Sequence, residues 1–335
     1  MAGRFTPKPT RTTVRGGHTV IPQGAPAGPT TRGATRSWTP EAPEAPLDLG
    51  LTLGPLRRGP ADPTFRTTPA GLWRASRTPE GPATIRITTK QGTAHAESWG
   101  PGAAWMLDQL PHLLGQSDTP DEFEPHHRLV AQAQKKRQGL RLTRTGLVLE
   151  SLIPSILEQK VTTDEAYRAW RLLVRKHGEP APGPAPDHMY VMPDPQTWRM
   201  IPSWEWHRAG VDNKRASTIL RAVRVANRLE EAAAMEPEQA QERLELIPGI
   251  GPWTSAEVVQ RSNGAPDAVT VGDLHLPHII GYALTGAQST TDERMLELLA
   301  PYKGQRHRAA RYILLAGRTP PRRTPKMPKA DIARL

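Results

Sequence analysis

The sequence predicts an α+β fold in which helix dominates: a small N-terminal antiparallel sheet with a helix, followed by a region that is helical almost throughout. Three observations predict it. Short β-branched and aromatic segments punctuated by glycine lie between about residues 47 and 115. From about Glu124 onward, apolar residues recur at helical spacing behind recognisable caps. The first 46 residues are Pro, Gly, Thr and Arg with scarcely any consecutive apolar residues, a composition that cannot bury enough surface to offset its ordering entropy. The expected organisation is therefore a disordered basic tail over 1–46, a sheet-plus-helix domain over 47–120, a helical core over 121–318 and a basic C-terminal tail over 319–335.

Composition bounds the function. Lys and Arg number 44 against 33 Asp and Glu, a formal net charge of +11, which favours polyanionic partners. The absence of cysteine excludes disulfides, thiolate zinc sites, a cysteine nucleophile and a Cys-ligated iron–sulfur cluster. No apolar run approaches the roughly 18 residues of a membrane span, and the N-terminus lacks the apolar core of a secretory signal. The expectation is a cytoplasmic protein, nucleoid-associated if bacterial, with no membrane partner.

Within the first domain, Leu47, Leu49 and Leu51 alternate, Ala83–Thr88 reads as a strand with Ile85 and Ile87 on one face, and Trp73 and the run from Thr93 to Trp99 suggest further short strands. Ala103–Leu114 reads as a helix. Further on, Thr162 with Glu165 forms a capping-box match that opens a helix closing near Gly178. Glu179–Pro186 reads as a Pro-rich linker, Asp194-Pro195 as a cap followed by a first-turn proline, and Asp212 as the cap of a long helix from Asn213 to about Ala234.

The sharpest signal is Ile247-Pro248-Gly249-Ile250-Gly251-Pro252-Trp253-Thr254, between two helix-like stretches. Two glycines one residue apart allow a tight turn and a close approach to the backbone amides. Pro252 then stands where a first helical turn tolerates proline, so the free N–H groups of the new helix can meet an anion. Alone, such a segment is equally an ordinary helix–helix turn. Downstream comes Val271-Gly272-Asp273-Leu274-His275, a carboxylate before a helix-like run, which by itself is either a functional group or a cap.

Taken together, these two segments resemble the helix-hairpin-helix DNA glycosylases, most closely the bacterial branch that removes 3-methyladenine and other alkylated purines. The match runs from about Val148 to Gly317. The resemblance implies two helical subdomains with a DNA cleft between them, and an upstream sheet like the N-terminal domain of the bacterial alkylpurine enzymes. It implies that Asp273 is the catalytic carboxylate, that Gly249, Ile250, Gly251, Trp253, Thr254 and His275 meet DNA phosphate, and that Gln159 and Lys160 form the wedge filling the gap left by a flipped base. A monovalent cation at the hairpin carbonyls, with no chemical role, is compatible with it. Relatives that nick the strand carry a lysine two residues after the second hairpin glycine; here that slot is Trp253, so the implied enzyme is monofunctional. Trp253 is the first candidate for the wall of the base pocket, with Glu257, Trp204, Trp206 and Tyr282 behind it. Glu257 departs from the tyrosine of the bacterial enzymes at that position, and it either meets a cationic base or faces solvent.

The implied function is excision of an alkylated purine from double-stranded DNA by a monomer, leaving an abasic site, without a cofactor. Two other readings stay open: a non-catalytic helix-hairpin-helix DNA-binding module, or a glycosylase for uracil, hypoxanthine or mispaired adenine. Two basic clusters, Lys135, Lys136, Arg137, Arg141 and Arg144, and Arg306, Arg308, Arg311, Arg322 and Arg323, either track phosphates or form solvated faces.

Overall fold

The computed structural model describes residues 33–40 and 47–321. Residues 1–32, 41–46 and 322–335, which hold most of the two expected tails together with Arg322 and Arg323, lie outside the described residues.

Strand β1 (Ala34–Trp38) precedes a short helix α1 (Leu49–Leu53) and the strands β2 (Phe65–Thr68), β3 (Gly71–Thr78), β4 (Gly81–Lys90) and β5 (Thr93–Trp99). All five strands join one antiparallel sheet in the order β1-β5-β4-β3-β2. β1 lies inside the stretch expected to be a tail. It is an edge strand, paired from Ala34 with Ser98 to Trp38 with Ala94, and buries little besides part of Trp38, so its sequence carries no apolar alternation. The alternating leucines at 47–51 also resolve differently from the strand they suggest. Asp48 accepts a hydrogen bond from Leu51 N at 2.9 Å and caps α1.

One face of the sheet carries Leu72, Ile85 and Ile87 into a core with α1 and the helices α2 (Ala103–Asp108) and α3 (Leu110–Leu113). The single helix expected over 103–114 is two, with a break at Gln109 ahead of Pro111, which has no N–H to continue the ladder. The other face stacks Trp73 on Trp99, centroids 5.6 Å apart, against Met189 and Val191.

The remainder is helical: α4 (Arg128–Lys136), α5 (Val148–Leu157) and α6 (Thr163–His177), then a small antiparallel pair of β6 (Glu179–Pro180), at the start of the expected linker, and β7 (Tyr190–Val191), just beyond it. There follow α7 (Pro195–Met200), α8 (Ser203–Ala209), α9 (Asn213–Arg224), α10 (Ala226–Glu230), α11 (Pro237–Glu245), α12 (Pro252–Ser262), α13 (Leu276–Thr285), α14 (Asp292–Leu299) and α15 (Arg306–Leu315). The capping box of Thr162 and Glu165 forms, and Asp194 and Asp212 cap α7 and α9. The long helix expected over 213–234 breaks at Val225, whose φ of −117° and ψ of 28° are not helical.

These helices make two cores. One gathers apolar residues of α5 to α12, including Trp170, Trp198, Ile219, Val258 and Val259. The other joins α4 and the segment around Phe123 and Leu140 to α13, α14 and α15, so chain from before α5 packs with chain from after α12. Glu150 of α5 fastens the sheet to the first helical core: it accepts from Arg74 Nη2 at 2.8 Å and Ser76 Oγ at 2.9 Å. Burial raises its pKa despite the arginine. No helix among the described residues is long and apolar enough to cross a membrane.

Candidate active site

The hairpin between α11 and α12 is set by its two glycines in different ways. Gly249 has φ +101°, and a Cβ there would meet Thr218 Oγ1 at 2.3 Å, so both the turn and the close approach to α9 require glycine. Gly251 is extended and caps α12; a Cβ there meets nothing within 4 Å. Its missing side chain leaves open space over the first turn of α12. In that turn, the N–H groups of Trp253 and Thr254 have no acceptor within the helix. Ile250 is buried and anchors the loop in the first helical core.

Two side chains hold the hairpin from the protein side. Arg221 Nη1 donates to Pro248 O at 2.8 Å, and Gln159 Nε2 donates to Gly249 O at 3.0 Å and to Thr254 Oγ1 at 2.8 Å. Gln159 thereby ties the turn after α5 to the hairpin. Lys160 follows it, exposed and with φ +55°, a left-handed conformation uncommon outside glycine.

Asp273 reaches the same helix. Its Oδ2 accepts from Trp253 Nε1 at 2.9 Å, while Oδ1 accepts the backbone N–H groups of His275 and Leu276, each at 2.8 Å. One oxygen therefore caps α13, and the other is held by the indole of α12. Gly272, with φ +84° and its N–H donated to Asp292 Oδ2 at 2.9 Å, sets the turn that presents this carboxylate. Leu274 beside it is 72% exposed, and the His275 side chain is also exposed and makes no capping bond.

Further along α12 from Trp253, a cavity of about 150 Å³ lies between α12, α15 and the chain around Pro55 and Thr143. Its polar lining is Glu257, Gln260 and Arg261 of α12, Thr270 before the Asp273 loop, and His307 and Arg311 of α15. Leu276, whose N–H donates to Asp273 Oδ1, also lines it. Glu257 is paired with Arg261 at 2.8 Å, and Arg261 also donates to Pro55 O at 3.0 Å. Arg311 Nη2 donates to Leu51 O at 2.9 Å. Burial, reinforced by Arg311, Arg261 and Arg308, holds the His307 imidazole well below the usual histidine pKa, so it is neutral near pH 7. Burial and the same arginine neighbours bring Arg311 down to about 10, which still leaves it charged there.

The structure brings together Asp273, Trp253, Thr254, the hairpin glycines, Ile250, Gln159 and, further along α12, Glu257. Of the expected pocket residues only Glu257 lines this cavity; Trp253, the first candidate, stands outside the lining with its indole on Asp273. Trp206 is core: it donates Nε1 to Ile201 O at 3.2 Å and stacks on Trp198. Trp204 projects from α8 and is 64% exposed, and Tyr282 of α13 is not among the lining residues. Aromatic residues near a cleft motif in sequence are not thereby near it in space. The described members of the second basic cluster, Arg306, Arg308 and Arg311, form no solvated face either. Arg306 forms a bidentate pair with Asp267, at 2.8 and 2.5 Å, and Arg308 is fully buried against Asp118. In the first cluster Lys135, Lys136 and Arg137 are exposed, whereas Arg141 is buried. His307, Gln260 and Arg261 are lining residues absent from the sequence expectations, and Arg311, expected only as part of a basic cluster, joins them. Their signal was the four-residue spacing of Glu257 with Arg261 and of His307 with Arg311, which puts each pair on one helix face.

No family model matches the chain. It is 24% identical over 224 residues to the DNA-3-methyladenine glycosylase of Bacillus subtilis, a stretch covering 64% of this chain and 74% of that protein. The 3-methyladenine DNA glycosylase of Archaeoglobus fulgidus superposes with a TM-score of 0.68 at 16% identity, covering 84% of this chain and 98% of that one. The Clostridium acetobutylicum 8-oxoguanine glycosylase/lyase, in complex with double-stranded DNA containing cytosine opposite 8-oxoguanine, does so with 0.64 at 12%, covering 81% and 92%. The architecture, a small antiparallel sheet followed by two helical cores with the hairpin leading into α12, is that of the helix-hairpin-helix DNA glycosylases. In sequence the chain resembles the DNA-3-methyladenine glycosylase of Bacillus subtilis.

Proposed function

We propose that the chain is a monofunctional DNA glycosylase of base excision repair, hydrolysing the N-glycosidic bond of alkylated and otherwise modified purines in duplex DNA. The observation that carries this reading is the Trp253–Asp273 contact at the N-termini of α12 and α13. Cleaving the bond between C1′ and the base leaves positive charge on the sugar, and a fixed carboxylate stabilises that charge as it develops. Oδ1 of Asp273 is committed to two backbone amides, whereas Oδ2 has the indole as its one partner and keeps a lone pair. Oδ2 is then the oxygen that faces C1′ or takes a proton from the attacking water. Water supplies a hydroxyl to C1′ and a proton to the departing base, and an abasic site remains.

No amine stands in the Trp253 slot, so this reading includes no Schiff base and no strand nicking. It calls on no cofactor. The open first turn of α12, with the amides of Gly249, Gly251, Trp253 and Thr254 and the exposed His275, takes a DNA phosphate; the Ile250 amide, also expected there, donates instead to Ile247 O at 3.0 Å. In this reading Gln159, tied to the hairpin, and the exposed Lys160 after it form the wedge that enters the duplex while the base is extruded. Purines as substrates are supported by what the Bacillus subtilis and Archaeoglobus relatives are named for.

The test is single-turnover excision on duplexes carrying 7-methylguanine, hypoxanthine, 8-oxoguanine or uracil, with strand breaks read before and after alkali. Breaks that appear only after alkali and vanish in Asp273→Asn support the reading. Salt-sensitive DNA binding with no abasic product from any lesion would instead identify a binding module without chemistry.

A further inference from the structure

A buried arginine far from the hairpin in sequence is linked to it in space. Between α1 and β2 the chain folds into a compact loop around Asp62, which is fully buried. Asp62 accepts from the Arg58 N–H at 2.6 Å, from the Thr64 N–H and hydroxyl at 2.9 Å each, and from Trp170 Nε1 of α6 at 3.1 Å. Gly59, with φ +83°, lets the loop lie against α6, since a Cβ there would meet Tyr167 Cδ2 at 2.5 Å. The loop sends the Arg58 side chain, only 6% exposed, to the join of α5, α6 and α12, where it faces Ser151, Trp170 and Arg261 across a small cavity. There Arg58 Nη1 donates to Glu158 Oε1 at 2.8 Å. Burial works against its charge, but Glu158, Glu257, Tyr167 and Asp62 hold its pKa above the ordinary arginine value. Glu158 closes α5, and the next residue is Gln159, whose amide grips Gly249 O and Thr254 Oγ1. A buried ion pair adds little stability over an apolar pair of similar volume, because desolvation offsets the attraction. What it adds is direction, since a planar guanidinium fixes the carboxylate that it holds.

We propose that Arg58 is a positioning residue for the DNA-binding hairpin: by holding Glu158 it fixes the turn from which Gln159 grips Gly249 and Thr254. The loop ahead of the sheet's second strand thereby sets the geometry of a phosphate site built from helical residues. Arg58 is buried and bonded to Asp62 and Glu158, so it acts through them and not on the DNA. The proposal rests on the hairpin taking a DNA phosphate, and it names a residue that the site needs from outside the helical cores.

The experiment measures Kd by fluorescence anisotropy on an undamaged duplex, with thermal unfolding of each protein as a folding control. Wild type is compared with Gln159→Leu, with Arg58→Lys, with the apolar pair Arg58→Met/Glu158→Leu, and with that pair combined with Gln159→Leu. Gln159→Leu removes two hydrogen bonds and should raise Kd about tenfold. The apolar pair should fold with an unchanged or higher thermal midpoint and still raise Kd severalfold. Adding Gln159→Leu to the pair should raise Kd no further than Gln159→Leu does alone, because both act through one link. Arg58→Lys keeps the charge but loses the planar fork, and should fall between wild type and the apolar pair. Wild-type affinity in Gln159→Leu or in the apolar pair, or losses that multiply in the combination, overturns the proposal. If the apolar pair does not fold, Arg58→Lys decides: wild-type affinity in that variant overturns the proposal, and weakened binding at an unchanged midpoint supports it. Gly251→Ala keeps the two readings apart. Weakened binding there, with the Arg58 variants unaffected, removes the positioning role alone; unchanged binding in Gly251→Ala as well removes the phosphate site and the proposal with it.

Discussion

The mouth of the site and the cavity beyond it are built from the same helix, α12, yet they are assembled in opposite ways. At the mouth, Gly249, Gly251, Trp253 and Asp273 lie within a short span of chain, and their contacts are backbone geometry and three hydrogen bonds to one carboxylate. The cavity instead collects Arg261 from α12, His307 and Arg311 from α15, and carbonyls from Leu51 and Pro55 near the start of the described sheet domain. A contiguous motif forms from local turns and caps, whereas the cavity lining depends on segments that only folding brings together.

The comparison breaks most sharply at Asp273. Asp273→Asn keeps the shape and removes the charge, and it should cost roughly two to four decades of excision rate on every lesion alike, by the usual size of acid–base contributions. DNA affinity, read by fluorescence anisotropy, should hold. A lesion-dependent loss would mean that the mouth also selects the base.

The two hairpin glycines give the next largest effect, and they separate folding from binding. Gly249→Ala places a Cβ 2.3 Å from Thr218 Oγ1 at φ +101°, and should lower both stability, by about 1–3 kcal/mol, and DNA affinity. Gly251→Ala puts its methyl into open space in extended backbone, so thermal unfolding should not change. Its affinity for DNA should still fall, because the methyl stands over the first turn of α12. Equal affinity in Gly251→Ala and wild type would remove the phosphate from that turn.

Trp253→Phe tests how the mouth is held together. It deletes the indole N–H to Asp273 Oδ2 and keeps a ring in place. A hydrogen bond to a charged group contributes about 1.5–3 kcal/mol, so a loss of about tenfold or more in single-turnover rate is expected. An unchanged rate would show that the two cap bonds on Oδ1 alone fix the carboxylate.

How far the molecule is legible in its sequence follows the same division. The capping box at Thr162, the caps at Asp194 and Asp212 and the hairpin glycines are local devices, and each forms where the chain spells it. β1 is invisible because an edge strand that buries only part of one tryptophan has no apolar period. The leucines at 47–51 mislead because a two-residue period is broken by the cap at Asp48 after too few residues to show a helical one. Nothing local says that Phe123 and Leu140 pack with α13 to α15, or that Arg308 closes on Asp118 and leaves Arg311 and His307 facing the cavity. Those pairings span most of the chain and no local pattern announces them; Trp204 and Trp206 lie on α8 and Tyr282 on α13, and none of the three lines the cavity.

The smallest effect belongs to the cavity and appears as a dependence of stability on pH. The folded chain holds His307 neutral, with a pKa depressed by burial and by Arg311, Arg261 and Arg308, whereas in the unfolded chain it takes a proton near pH 6.5. Below that value the unfolded state binds a proton that the folded state refuses, so stability is full above about pH 6.5 and is lost progressively as pH falls. His307→Phe removes this contribution, while carboxylates and the other histidines act equally on both proteins. The difference in thermal midpoint between wild type and His307→Phe, followed from pH 8 to pH 5, should therefore be flat at the alkaline end and move in favour of the variant toward acid. A difference that stays flat throughout would mean that His307 takes up its proton in the folded chain. The cavity would then carry a second positive charge, beside Arg311, in acid.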